Sequence, residues 1–266
     1  RWWIIVLSLA VALALGLGAA LSSGFAAASN TVEGGLVRYV GEARDPGGRM
    51  LYREAHYLDT RGAAPRRVVL YQCADGREFA RKIVDGAGPA PNFAFLDARD
   101  GYQEGVRTQA GKREVFWQAA KASPVKRGAI DKTGASVFDA GFDAYVREHF
   151  ASLRQGKTLR ARFLIPSRLS AIGVSVKPVS GAPAGHLDLK TRLDAWYGFA
   201  LPELRLRYRI ADRQLVRFEG IGTIRDAKGG HGKLRIDFAQ AAVAIDAGEL
   251  QRAREAPLGG ACGGGM

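Results

Sequence analysis

Cysteine is almost missing from this chain: Cys73 and Cys262 are the only two in 266 residues. No CxxC motif exists, which excludes the usual zinc knuckle and the dithiol redox motif. Histidine is scarce as well. His56, His149, His186 and His231 form no HxH or HExxH pattern, so no metal centre is indicated. There is no GxSxG elbow, no Walker loop and no GxGxxG after a strand. The expectation is a protein that is not an enzyme and carries no cofactor. Acid is in short supply: 26 Asp and Glu face 39 Lys and Arg. Setting aside the first 28 residues, whose one charge is Arg1, leaves 38 cations against 26 acids, or +12. Such a surface favours anionic partners. An Arg-, Ala- and Gly-rich composition of the kind a GC-rich genome gives accounts for it equally well. Long hydrophobic runs are absent after Leu21, so the rest of the chain reads as an ordinary folded domain.

The one apolar run follows Arg1, Trp2 and Trp3 and ends before Ser22-Ser23-Gly24-Phe25 and Ala26-Ala27-Ala28. A positive start, an apolar stretch and small residues make a signal peptide over 1–28, cleaved after Ala28. Its length of about 20 residues also suits a retained inner-membrane anchor. No cysteine follows it, which speaks against a lipoprotein anchor. The expected location is exported and periplasmic. In an exported chain two cysteines often pair. Cys262, however, stands in a Gly-rich tail, Gly259-Gly260-Ala261-Cys262-Gly263-Gly264-Gly265, so pairing and no pairing both stay open.

Residues 29–248 read as a single β-rich domain. Strand-like segments at 35–44 and 49–59 flank Asp45-Pro46-Gly47-Gly48, and 66–73 and 77–85 flank Asp75-Gly76. The Asp-Gly pair predicts a two-residue type I′ turn. A weaker hairpin covers 102–119, and 121–135 reads as a loop. Further alternating strands cover 158–165, 171–179, 186–194, 204–210, 214–224 and 233–238. One helix is predicted over 139–155. Phe142, Tyr145, Val146, His149, Phe150 and Leu153 make its apolar stripe, with Asp139 as cap and Gly156 as stop. His149 reads as a core histidine. Gly220-Ile221-Gly222 reads as a bulge or close-packing site. The tail 249–266 is predicted to be disordered. The fold class is mainly β (α+β): an antiparallel meander curled into a barrel or half-barrel with one amphipathic helix.

Two surface features stand out. Arg160 and Arg162 share one strand face, and Arg205, Arg207 and Arg209 share another. Arginine grips phosphate bidentately, so these five are candidates for contact with an anionic membrane surface. A solvated face that discourages edge pairing is the competing account. Nucleic acid is not an expected partner, because export removes it. In the apolar loop 194–202, Trp196, Tyr197 and Phe199 are candidate ligand-binding residues, as a hydrophobic lip or a membrane-touching loop. Packing over a barrel end competes with that.

Three groups of strings carry a resemblance: Tyr71-Gln72-Cys73-Ala74-Asp75-Gly76 with Phe79-Ala80-Arg81-Lys82; Asp97-Ala98-Arg99-Asp100-Gly101-Tyr102 with Glu104-Gly105-Val106-Arg107; and Phe218-Glu219-Gly220 with Ile224-Arg225-Asp226. Over about residues 35–240 the chain resembles an uncharacterised family of exported proteobacterial β-rich proteins. The resemblance implies no activity and no site residue. A strand meander around a helix is also similar in architecture to the periplasmic lipoprotein-carrier half-barrels, without a shared motif. Read from the residues alone, Arg81, Lys82, Arg99, Glu104 and Arg107 are strand-face ion pairs.

The expected function is that of an exported envelope protein. It would hold a lipid or other amphiphile in a curved sheet and meet anionic membranes with its basic surface. The alternative is a non-catalytic structural or interaction protein with a filled core. An unrecognised enzyme comes third.

Overall fold

Turn chemistry cuts this chain into strands, and the computed structural model describes residues 35–193, 203–226 and 229–262, within one compact unit spanning 32–266. The predicted leader at 1–28 and the loop residues Trp196, Tyr197 and Phe199 lie outside the described residues. Among the described residues no helix is long and apolar enough to cross a membrane.

The first meander comprises β1 (Leu36–Arg44), β2 (Met50–Asp59), β3 (Arg66–Gln72), β4 (Glu78–Asp85), β5 (Asn92–Asp97), β6 (Tyr102–Gln109), β7 (Lys112–Gln118) and β8 (Lys126–Ala129). The predicted loop at 121–135 thus contains β8 and a 3₁₀ turn, Ile130–Thr133. A helical segment leads into the second meander. This comprises β9 (Leu159–Ile165), β10 (Ser170–Val179), β11 (His186–Leu193), β12 (Leu204–Arg209), β13 (Leu215–Arg225) and β14 (His231–Asp237). Every neighbour pair is antiparallel, and the two meanders join along β1 and β14. The short β15 (Val243–Ala244) extends the same edge of β1.

Two hairpins share one turn design. Gly48 N donates to Asp45 O at 2.9 Å and Gly76 N donates to Cys73 O at 2.9 Å, with the two glycines at φ 85° and 90°. These are three-residue loops in which glycine takes the left-handed position after a type I turn. The type I′ turn predicted at Asp75-Gly76 is not formed. It would have demanded positive φ at two central residues, whereas Ala74 and Asp75 keep negative φ and Gly76 alone crosses over.

The sheet does not close by hydrogen bonds. Leu164 and Phe163 point to opposite faces of β9. Phe163 meets Phe142 on the concave side, yet Leu164 packs with Phe93 and Val115 of the β4–β7 wall and with Phe138, which precedes the helical segment. The β9 edge therefore tucks inside that wall, and the sheet rolls past itself as a half-barrel. Segment 136–137 covers the edge of β9, with Leu164 N donating to Val137 O at 2.9 Å.

The predicted helix forms in pieces: a 3₁₀ turn, Asp139–Gly141, then α1 (Phe142–Glu148) and α2 (Phe150–Arg154). His149 interrupts it at φ −101° and ψ 14°, where its ring Nδ1 bonds the Tyr145 carbonyl at 3.0 Å and its own N–H reaches the same carbonyl at 3.3 Å. Tyr145, Val146, Phe150 and Leu153 are buried as the stripe predicted. Asp139 does not cap the helix. Gly141 holds that position without a side-chain bond, and a Cβ there would lie 2.1 Å from Pro89 O.

The predicted disordered tail is largely ordered. Asp246 accepts a hydrogen bond from Glu249 N at 2.7 Å and caps α3 (Ala247–Glu255). Ala253, with Leu250, Ala256 and Leu258, covers Ala55, Tyr57, Val68 and Leu70 on the convex face. Gly259 N then donates to Glu78 O at 2.7 Å, and Cys262 is bonded to Cys73. The physical reason is the Val68–Tyr71 run, which has apolar side chains on both faces and needs cover on both.

Candidate site on the concave face

Register places eight inward-facing residues in one row across the first meander. Tyr39 opposes His56, then Val69, Lys82, Phe95, Glu104, Trp117 and Lys126 follow strand by strand. Charged and aromatic side chains alternate along most of this belt. Tyr39 stacks on His56 at 4.7 Å between centroids. The Lys82 ammonium lies 5.7 Å from the Phe95 centroid and the Lys126 ammonium 5.1 Å from that of Trp117. The row on one side is mainly apolar: Leu58, Arg67, Val84, Phe93, Val106 and Val115. The row on the other side carries Glu54, Tyr71, Ala80, Asp97 and Tyr102.

The helical segment crosses above this belt. Asp139 forms a salt bridge and hydrogen bond with Lys82. Arg67 donates to the Ala140 carbonyl. Tyr208, from β12, donates to Asp143 at 3.0 Å. The Lys82 side chain is 6% exposed and that of Asp139 is 43% exposed. The pair thus lies on the wall of the concavity and is not sealed in a core.

Burial and partners set the charge states. Burial pushes the His56 ring below its ordinary value, against the pull of Glu54. His56 Nε2 meets Glu54 Oε2 at 3.1 Å, so in the neutral ring the proton sits on Nε2 and Nδ1 is an enclosed acceptor without a partner. Burial pushes Glu104 upward, although Tyr102 donates to it at 2.6 Å. Burial also raises Asp139, but Lys82 and then Arg67 more than offset it, leaving the carboxyl below its usual range. Tyr39 is pushed up to about 12 by burial. Arg67 Nε and Trp117 Nε1 are among the other enclosed atoms without a hydrogen-bond partner.

The sequence did not single out this belt. Lys82 and Glu104 were expected in strand-face ion pairs, but both face the interior. A signal was present in Arg81-Lys82 and Arg53-Glu54: two adjacent charges on one strand send one of them to each face. Arg107 pairs with Glu114 as expected, at 2.6 Å. Arg99 holds Asp97 at 2.7 Å and Arg81 bonds the Ala256 carbonyl at 2.9 Å.

The five surface arginines lie on one face of β9 and β12, since Arg160 opposes Ser175, Ser175 opposes Arg192, and Lys190 opposes Arg205. Arg207 makes a two-pronged contact with Asp188, 2.7 Å on each side. Arg209 holds Asp212 at 2.8 Å, and Arg205 shares Glu203, at 3.3 Å, with Lys190 and Arg192. Arg162 donates to the Ala171 carbonyl at 3.1 Å, and Arg160 is exposed. Much of this charge is therefore matched on the sheet itself. An open surface cleft of about 530 Å³ lies nearby, lined by Asp45, Glu203, Arg205, Glu219, Lys233 and Arg235 among others. It mixes both signs of charge. Among the described residues no group of three or more His, Cys, Asp or Glu is placed to hold a metal ion.

Comparison with protein-family models and with curated proteins gives no significant match. Among solved structures, the chain is similar to a protein from Brucella abortus described as a beta-barrel-like protein of a domain of unknown function, DUF1849. The likeness has 11% sequence identity and a TM-score of 0.40, over 79% of this chain and 98% of that one.

Proposed function

We propose that this protein is a non-catalytic binding module that takes one small amphiphile on the concave face of its half-barrel, between the belt and the helical segment. One observation carries the reading: the interior holds ionisable groups that a structural core does not need. Burying Glu54, Lys82 and Glu104 costs free energy, and partly satisfied polar networks are worse for stability than apolar packing. Local rules of this kind are broken chiefly at functional sites. Aromatic rings beside the polar belt supply the apolar half of an amphiphile site. The protein is proposed to work outside the cytoplasm, and the Cys73–Cys262 bond supports export, because such bonds persist in oxidising compartments. Contact with anionic membranes through Arg160, Arg162, Arg205, Arg207 and Arg209 belongs to the same proposal, with carboxylates standing beside Arg205, Arg207 and Arg209.

The test is titration with an environment-sensitive fluorescent amphiphile, together with native mass spectrometry of protein released gently from its own source. Saturable binding of one probe molecule, displaced by a co-purified small molecule, is expected. Unsaturable partitioning alone, with a bare protein mass, would sink the reading. A filled structural barrel would then stand. The unbroken ring contacts from Tyr52 through Tyr71, Phe95 and Tyr102 to Trp117 favour that second account.

A further inference from the structure

The polar groups of the belt are unequal, and the inequality selects a ligand charge. Lys82 is matched by Asp139, and Glu54 by the neutral His56 ring. Arg67 spends a donor on a backbone carbonyl. Glu104 differs from the other charged groups of the belt. Its one hydrogen bond comes from the neutral Tyr102 hydroxyl, and no cationic side chain among the described residues forms a salt bridge with it. In the row it stands between Phe95 and Trp117. Both rings already carry an ammonium group of the protein, Lys82 over Phe95 and Lys126 over Trp117. The belt's rings therefore accept ammonium groups, and between them lies a carboxyl that Lys82 and Arg225 attract without either forming a salt bridge to it.

Resting on the binding reading above, we infer that the concave site takes an organic cation, a primary or quaternary ammonium on an apolar tail, with the charged head at Glu104 between Phe95 and Trp117. A carboxylate between aromatic faces is the arrangement that recognises ammonium groups, through Coulomb attraction and the ring quadrupole together. An anionic head at the same place would meet Glu104 instead, with the Asp139 carboxylate adding to the repulsion. The upward push that burial gives Glu104 agrees with this, since a ligand cation would relieve it. The exterior is basic, with a net charge of +13 on the whole chain, so bulk electrostatics favours the anion and works against the inferred preference.

The experiment compares decylamine, decanol and decanoate at neutral pH and physiological salt by isothermal titration, on the intact protein and on Glu104→Gln. On the intact protein decylamine should bind more tightly than decanoate by about tenfold or more, the scale of one desolvated cation–π and charge contact. Glu104→Gln should abolish the amine preference, bringing decylamine affinity down to that of decanol. Trp117→Leu provides a second arm and should weaken decylamine more than decanol. If decanol binds but decanoate equals or exceeds decylamine, the ammonium inference falls and the binding module stands. Should none of the three bind, both fall together.

Discussion

Lys82 and Asp139 share an ion pair but sit in different surroundings, and that difference has consequences at the scale of single residues. The ammonium is 6% exposed and the carboxylate 43% exposed. Removing Asp139 strands a buried cation, whereas removing Lys82 leaves a carboxylate that water still reaches. Asp139→Asn should therefore cost about 3–5 kcal/mol, the usual penalty for an uncompensated buried charge. Lys82→Met keeps the aliphatic stem and should cost roughly 1 kcal/mol or less. Urea unfolding of the two variants decides it; equal losses would mean that the pair is sealed on both sides. These residues were partly legible in the sequence. Arg81-Lys82 on a strand announces that one charge turns inward, but not which one, because facing depends on register with β3 and β5. Glu104 gave less, flanked as it is by Gln103 and Gly105, neither of which marks a face.

At the scale of elements, the C-terminal segment is the part most changed by folding. The signature Asp246-Ala247-Gly248-Glu249 is an N-terminal capping pattern and was readable. What hid the helix was its composition: Arg252, Arg254 and Glu255 dominate its turns, and its buried contact is small, with Ala253 the one buried residue. The helix is held by the patch it covers and by the tether behind it. Cys73–Cys262 closes a loop of 189 residues. Long loops favour a strong effect on the unfolded state, and native disulfides typically contribute about 2–4 kcal/mol. Replacing both cysteines by serine should lower the urea midpoint accordingly. Limited proteolysis should then cut first between 256 and 262, releasing the tail before the barrel opens. A double-serine protein with unchanged midpoint and cleavage pattern would show that α3 docks without its tether. The helical segment at 142–154 was better foreseen, because five of its apolar positions fall on one stripe. Its break at His149 was not, since a side chain bonding a carbonyl four residues back leaves no trace in the apolar period.

For the whole molecule, charge is organised by face. The convex surface of β10–β14 carries a lattice of Arg and acid contacts, and the concave surface keeps a few buried ionisable groups. Their responses to acid separate in pH. His56 is lowered by burial, so its stabilising contribution is complete above its ordinary 6.5 and is lost as pH falls toward the folded value. The carboxyls of Asp188 and Glu203 are lowered first by bonds from Arg207 and Lys190, and Asp59 is drawn down to about 2 by Arg61. Their contributions persist to about pH 4, the ordinary carboxyl range, and vanish below it. Glu104 runs the other way: its raised value contributes below the ordinary range and is lost as pH rises through the folded value. Thermal midpoints should therefore fall in two stages on acidification, a shallow one below about 6.5 and a steep one below about 4. His56→Asn should remove the first stage and keep the second. A flat profile from neutral pH down to the carboxyl range in the intact protein would place His56 in water.

Local chemistry in the chain determined the strand alternation, the glycine turns, the apolar helix stripe and hence a mainly antiparallel β fold. Each of these depends on neighbours within a few residues, where periodicity and φ preferences act directly. Tertiary structure alone decided which alternate face is concave, that the sheet rolls past itself at Leu164, and that Tyr39, His56, Lys82, Phe95, Glu104 and Trp117 form one belt. The reason is register. Those six residues span 39 to 117 in sequence and become neighbours only when successive strands pair, and a one-residue slip in any pairing would send the rest of the row to the opposite face.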